Sequence, residues 1–220
     1  FQLGQGFVVR GLLPGYIDTQ VNGGGGVLFN DAPTVESIRR IGAAHARFGT
    51  TGFLPTLISD DLDVVARAIR AVDAAIEAGV PGVLGIHVEG PFISSAKRGV
   101  HDARHFLALD DSAIALLTSL RRGRTLLTLA PEVAPPALLR RLADAGVVLA
   151  AGHSNATATD VEIAREHGLR GFTHLFNAMS PLTAREPGVV GAALADDDAY
   201  CGLIVDGHHV DPRVLQLVLR

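Results

Sequence analysis

Short, nearly continuous apolar runs alternate along this chain with longer stretches in which apolar residues return every three or four positions. The first rhythm reads as buried strand and the second as amphipathic helix. Seven strand runs are predicted: GLLPGYID (11–18), GFLPTLI (52–58), GVLGIHVE (82–89), TLLTLA (125–130), VVLAAG (147–152), GFTHL (171–175) and YCGLIVD (200–206). Between them lie helical patterns. The one over 34–49 has Thr34 as its N-cap and Gly49 as its stop. The one over 60–79 puts Leu62, Val65, Ala66, Ile69, Val72 and Ile76 on one face, carries acids in its first turn and ends at Gly79. Further helices are predicted over 110–121, over 135–146, where two prolines suit the first turn, over 157–168, and from 211 onward.

Strands alternating with helices of this length predict βαβ units and a parallel sheet. Seven units are one fewer than a closed (β/α)8 barrel needs. The expected fold is therefore α/β, a partial (β/α)8 barrel over residues 11–220. Residues 1–10, FQLGQGFVVR, read as the remnant of an N-terminal strand-rich region, so both ends look incomplete. The NGGGG run at 22–26 lacks the Lys-Ser/Thr of a phosphate loop. It reads as a turn that needs close backbone approach or positive φ.

Composition narrows the function. Aromatics make up 5% with no Trp, so Ala, Val, Leu and Ile must fill the core, as suits helices on a parallel sheet. A net charge of -4 with scattered Lys and Arg argues against nucleic acid. The single Cys201 rules out an intrachain disulfide, no uncharged run reaches transmembrane length, and no signal pattern opens the sequence. The expected location is the cytoplasm, without membrane attachment.

In barrels of this kind chemistry gathers at the C-terminal ends of the strands. Those ends carry Gln20 and Asn22 after strand one, Glu89 at strand three, His153 after strand five, His174 at strand six, and Asp206, His208 and His209 after strand seven. One carboxylate and two imidazoles from three strands match a catalytic metal site with an open position. A cation would also explain a glutamate at the end of a buried strand. The plainer reading is a glutamate turned to solvent, with each histidine a hydrogen-bonded structural residue. His45 and His167 fall in helix patterns and read as solvated; His105 lies in a loop.

These residues sit within stretches that resemble the N-acetylglucosamine-6-phosphate deacetylases, a family of the amidohydrolase superfamily. The matching stretches are LLPGYIDTQVNG, GIHVEGPFIS with KRGVH, LTLAPE, AGHSNAT, THLFNAMSPLTAREPG and YCGLIVDGHHVD, in family order from residue 12 to 211. The resemblance implies metal ligands at Glu89, His153 and His174. Gln20 and Asn22 replace the His-x-His that binds a second ion in two-metal relatives, so one divalent ion per subunit, zinc or ferrous iron, is implied. It further implies that His101 polarises the acetyl carbonyl and that Val100, Asn177, Ala178, Asp206 and His209 line the sugar. Arg185 would hold the phosphate of the neighbouring subunit's substrate in a homodimer, an Arg fork being suited to phosphate. The implied reaction is removal of acetate from N-acetylglucosamine 6-phosphate. The family's catalytic Asp follows an eighth strand, which this sequence does not reach, so residues 1–220 alone are expected to be inactive. The alternatives are another hydrolase or deaminase of the superfamily, against which NAMSPLTAREPG speaks, and a non-catalytic truncated relative.

Overall fold

The computed structural model describes residues 13–219. The expected strand-rich remnant at 1–10 lies outside the described residues. Seven strands form one parallel sheet whose spatial order is the chain order: β1 (Tyr16–Val21), β2 (Thr50–Ile58), β3 (Gly85–Glu89), β4 (Arg124–Leu129), β5 (Val148–Ala151), β6 (Leu169–Phe172) and β7 (Tyr200–Cys201). Seven helices follow the strands in turn: α1 (Val35–Ala46), α2 (Leu62–Glu77), α3 (Asp111–Leu117), α4 (Pro136–Asp144), α5 (Ala158–Glu166), α6 (Gly188–Leu194) and α7 (Pro212–Val218). Each crossover is a βα unit, and among the described residues β7 does not pair with β1, so the sheet is an open partial barrel.

The helices form where local chemistry favours them. Thr34 caps α1 by accepting from Ser37 N, and Thr157 caps α5 in a reciprocal box with Asp160. On α2 the buried face is Val65, Ala68, Ile69, Val72 and Ala75, while the expected Ala66 and Ile76 are only half covered. Asp73 is buried on the same helix because its carboxylate accepts from the backbone N–H groups of Arg121 and Arg122. The helix faces and the strands enclose a core of small and branched residues, among them Ile38, Leu57, Ile69, Ile86, Leu127 and Leu149.

Several expected boundaries move. Strand one begins at Tyr16 and runs through Val21, so Gln20 is a strand residue; the apolar Leu13 stands outside it, 83% exposed. Strand six ends at Phe172, which leaves His174 beyond it. Strand seven is only Tyr200–Cys201, because β6 offers it partners at Gly171 and Phe172 alone and its other edge is unpaired among the described residues. Helix α6 lies in the segment between strands six and seven that the periodicity did not mark. The NGGGG turn behaves as expected: Gly25 and Gly26 have φ of 60° and 77°, within a hairpin of Gly23–Gly24 against Val27–Leu28.

Candidate metal centre

Pairing register brings the strand ends to one edge. Glu89 is the last residue of β3 and pairs with Thr128 of β4; Thr128 pairs with Ala150 of β5, and Ala150 with Gly171 of β6. Residues one to three positions past these points therefore share one rim, and the rim is where Glu89, His153 and His174 meet. Glu89 Oε1 lies 3.1 Å from His153 Nε2 and 3.1 Å from His174 Nε2, and the two ring nitrogens are 3.0 Å apart. All three side chains are buried.

The arrangement calls for a cation. His153 Nδ1 is 2.9 Å from the Lys97 carbonyl, which can only accept, so the ring proton sits on Nδ1 and the Nε2 lone pair faces inward. That lone pair, the Glu89 oxygen and His174 Nε2 converge on one point with little else to balance them. Ligands of zinc at about 2.0–2.1 Å in a tetrahedron have edges of about 3.3 Å, close to the spacing found. The residues present thus fit one divalent ion, as a carboxylate and two imidazoles with their outer contacts partly in place. His174 Nδ1 is buried without a hydrogen-bond partner among the described residues.

Burial pushes the Glu89 carboxyl up, but the closely placed His153 and His174 rings and the field of His87 outweigh it and hold the group well below the usual carboxylate range. His87, two residues earlier on β3, is fully buried below the centre. Its ring lies 3.2 Å from Thr56 Oγ1 and 2.7 Å from Thr128 Oγ1, and Thr128 Oγ1 lies 2.6 Å from Thr173 Oγ1. Burial lowers its pKa to about 4. His101 is also buried, and burial, with the neighbouring His153, lowers its pKa to about 4. Its ring centroid is 4.3 Å from that of His153. Glu89, His101 and His153 present ligand atoms within 4.8 Å of one another, so His101 borders the centre that His174 approaches more closely.

The ligand loops hold unusual backbone. His153, His174, Phe176 and Ala178 have φ between 39° and 79°, a left-handed region that non-glycine residues seldom adopt. Hydrogen bonds brace them. The Glu132 carboxylate accepts from Ser154 Oγ and Asn155 N, Ser154 N donates to the Ala178 carbonyl, and Ser180 N donates to the Ser154 carbonyl.

The other expected residues scatter more. Gln20 Nε2 donates to Glu89 Oε1 at 3.0 Å, while Asn22 follows β1 half-buried. Val100 and Arg185 are exposed, and Asn177 and Ala178 are half-buried in the loop after β6. Asp206 and His209 form their own exposed turn: Asp206 accepts from His208 N, His209 N and His209 Nδ1. His45 corrects its expectation, since it is half-buried with Nε2 2.9 Å from the Gly23 carbonyl, as is His167, which bonds the Ile163 carbonyl. His105 pairs with Asp61. Ser59 and Glu132 were not singled out, although Ser59 directly follows strand two and Glu132 lies in LTLAPE.

The family model for the amidohydrolase family matches residues 12–219. An N-acetylgalactosamine-6-phosphate deacetylase from Shewanella sp. (strain ANA-3) is 50% identical over 91% of this chain and 51% of its own length. An N-acetylglucosamine-6-phosphate deacetylase from Haemophilus influenzae is 37% identical over 91% of this chain and 52% of its own. Among solved structures, N-acetylglucosamine-6-phosphate deacetylase from Pasteurella multocida superposes with a TM-score of 0.89 at 36% identity, covering 93% of this chain and 54% of that one. A mutant of the Mycobacterium smegmatis enzyme in complex with N-acetyl-D-glucosamine-6-phosphate gives 0.87 at 34%, covering 93% and 54%. The chain spans about half the length of the curated relatives it matches.

Proposed function

Because the chain belongs to the amidohydrolase family, we propose that it supplies the metal-binding side of a hydrolase that removes acetate from N-acetylglucosamine 6-phosphate and leaves glucosamine 6-phosphate. The observation that carries this reading is the convergence of Glu89, His153 and His174 on one point beside a neutral, buried His101. Relatives named as deacetylases of this sugar phosphate support it.

A divalent ion held by Glu89, His153 and His174 supplies Lewis acidity toward the acetamide carbonyl and toward water. Two imidazoles and a carboxylate suit zinc or ferrous iron better than magnesium. Gln20 donates to Glu89, and with Asn22 it stands where a second ion would need imidazoles, so we assign one ion per subunit. The neutral His101 donates its ring N–H to the carbonyl oxygen and stabilises the charge that grows there as water adds. The C–N bond then breaks, and the amine leaves with a proton. That proton transfer is assigned to an Asp after an eighth strand, a position not among the described residues.

Residues 11–220 are read as the catalytic barrel and 1–10 as part of a β-sandwich. Val100, Asn177, Ala178, Asp206 and His209 are assigned to the sugar. Arg185, exposed on the loop before α6, is assigned to the phosphate in the partner's site of a homodimer. The cytoplasm is the location that a lone, exposed, unpaired Cys201 fits. No helix among the described residues is long and apolar enough to cross a membrane.

A second reading exchanges the sugar for its 4-epimer. It is favoured by the 50% identity to a protein named as an N-acetylgalactosamine-6-phosphate deacetylase. The test is acetate release from both sugar phosphates by protein expressed from its complete reading frame, metal-stripped and then reloaded with zinc. Zinc-dependent acetate release from N-acetylglucosamine 6-phosphate supports the first reading, and a strong preference for the galacto epimer replaces it with the second. Release from neither sinks both.

A further inference from the structure

We infer that Ser59 is a positioning residue that fixes the tautomer of His101, keeping Nε2 as an N–H donor and withholding it from the metal. The inference rests on the deacetylase reading only for its kinetic consequence. Ser59 is the first residue after β2, and its backbone N–H and its hydroxyl both reach the same ring atom: Ser59 N lies 3.3 Å and Ser59 Oγ 2.7 Å from His101 Nδ1. An amide N–H can only donate, so Nδ1 must accept, and a neutral imidazole that accepts at one nitrogen carries its proton on the other. Both residues are buried.

Gly90 secures this contact. A Cβ at that position would stand 2.3 Å from Ser59 Oγ, so the glycine directly after the Glu89 ligand leaves room for the hydroxyl. The contrast with His153 is chemical. There a carbonyl, that of Lys97, faces Nδ1 and forces the proton onto it, freeing Nε2 as a ligand. At His101 a backbone N–H faces Nδ1 and does the reverse. Two neighbouring imidazoles, both with a ring nitrogen within 4.8 Å of a Glu89 oxygen, are thus sorted into a ligand and a donor by the polarity of one backbone group each. A ring whose Nε2 carries a proton has no lone pair there for an ion, which leaves His174 as the third ligand.

The test begins with the unaltered protein, expressed from its complete reading frame with 15N-labelled histidine. Long-range 1H–15N spectra are recorded metal-free and zinc-loaded. His101 is expected to show an unprotonated Nδ1 and a protonated Nε2 in both states. A protonated Nδ1, or an Nε2 that takes up a metal-bound shift with zinc, overturns the inference whether or not the protein deacetylates anything. Ser59→Ala keeps the backbone N–H and the tautomer but loses the 2.7 Å hydroxyl contact that holds the ring in place, so kcat is expected to fall about tenfold at unchanged KM and zinc content, with Ser59→Thr recovering most of it. An unchanged kcat in Ser59→Ala overturns the positioning role even if the tautomer is as stated. Absence of acetate release from the unaltered protein sinks the deacetylase reading and leaves the spectra to decide on Ser59.

Discussion

Glu132 is exposed and far along the chain from the ligands, yet its carboxylate holds the two residues that follow His153. With His153 at φ 49°, that clamp keeps the ring aimed at Glu89. Glu132→Ala is expected to weaken zinc binding about 10- to 100-fold, the usual cost of losing an outer support; chelator competition measures it, and unaltered affinity would remove Glu132 from the centre. Arg185 acts on a different part of the same proposal. Arg185→Ala is expected to raise KM for the phosphorylated sugar at least tenfold while zinc content stays level, since a charge-assisted contact is lost and no ligand moves. An equal loss on unphosphorylated N-acetylglucosamine would refute the phosphate role. The proposed ligands drew notice in the sequence because they are metal-binding side-chain types placed at strand ends, and the structure brings them together. Their supports were not. The Lys97 carbonyl exists at every residue, and a serine after a strand has no signature until the fold places His101 against it.

At the scale of elements, the alternating periods located all seven strands and six of the seven helices, because each buries an apolar face. What failed was extent. Pro14 and the apolar Leu13 made strand one look earlier than Tyr16, where pairing with β2 begins. The residues after Cys201 are apolar, but beyond the Gly202 bonds to Phe172 and Leu175 no neighbour among the described residues pairs them into a strand. Helix α6 escaped notice since Gly188, Val189, Val190, Gly191 and Ala193 are buried nearly all round and show no polar face. Its position depends on Glu186, whose carboxylate accepts from Ala158 N at the start of α5 and from Gly188 N at the start of α6. Helix α5 is also held by its own cap, so Thr157→Ala is expected to cost about 1 kcal/mol in urea unfolding. Zinc affinity should change little, because the bonds of the box join only Thr157 and Asp160 and reach neither His153 nor His174.

Across the whole molecule, the buried neutral histidines tie stability to pH. Burial holds His87 to about 4 against an ordinary value of 6.5, with Glu89 opposing the shift and His174 and His153 adding to it. Above pH 6.5 the folded and unfolded chains both hold the ring neutral. Below it the unfolded chain takes up a proton that folded His87 refuses, so the His87 contribution falls from pH 6.5 toward 4 and then levels, by roughly 3 kcal/mol. His101 adds a step of the same sign, and a cation at the centre would deepen both. Urea midpoints followed across this range should show the decline, and His87→Gln should remove about half of it. The edges of β1 and β7, unpaired among the described residues, have a separate effect. Residues 1–220 expressed alone are expected to self-associate in light scattering, since unpaired edges template pairing between chains; a stable monomer would contradict that. The chain order of the sheet also bears on how the protein is made. Each strand needs only the one translated before it, so a growing chain can add βα units as they leave the ribosome. The proposed metal centre cannot follow the same schedule, because Glu89 and His174 are separated by 85 residues. At about 5–20 residues per second, Glu89 must wait roughly 4–17 s for its last imidazole. Until then Glu89 has Gln20 and, for the last 21 residues, His153 beside it, but not the full set of groups that surrounds it in the folded chain.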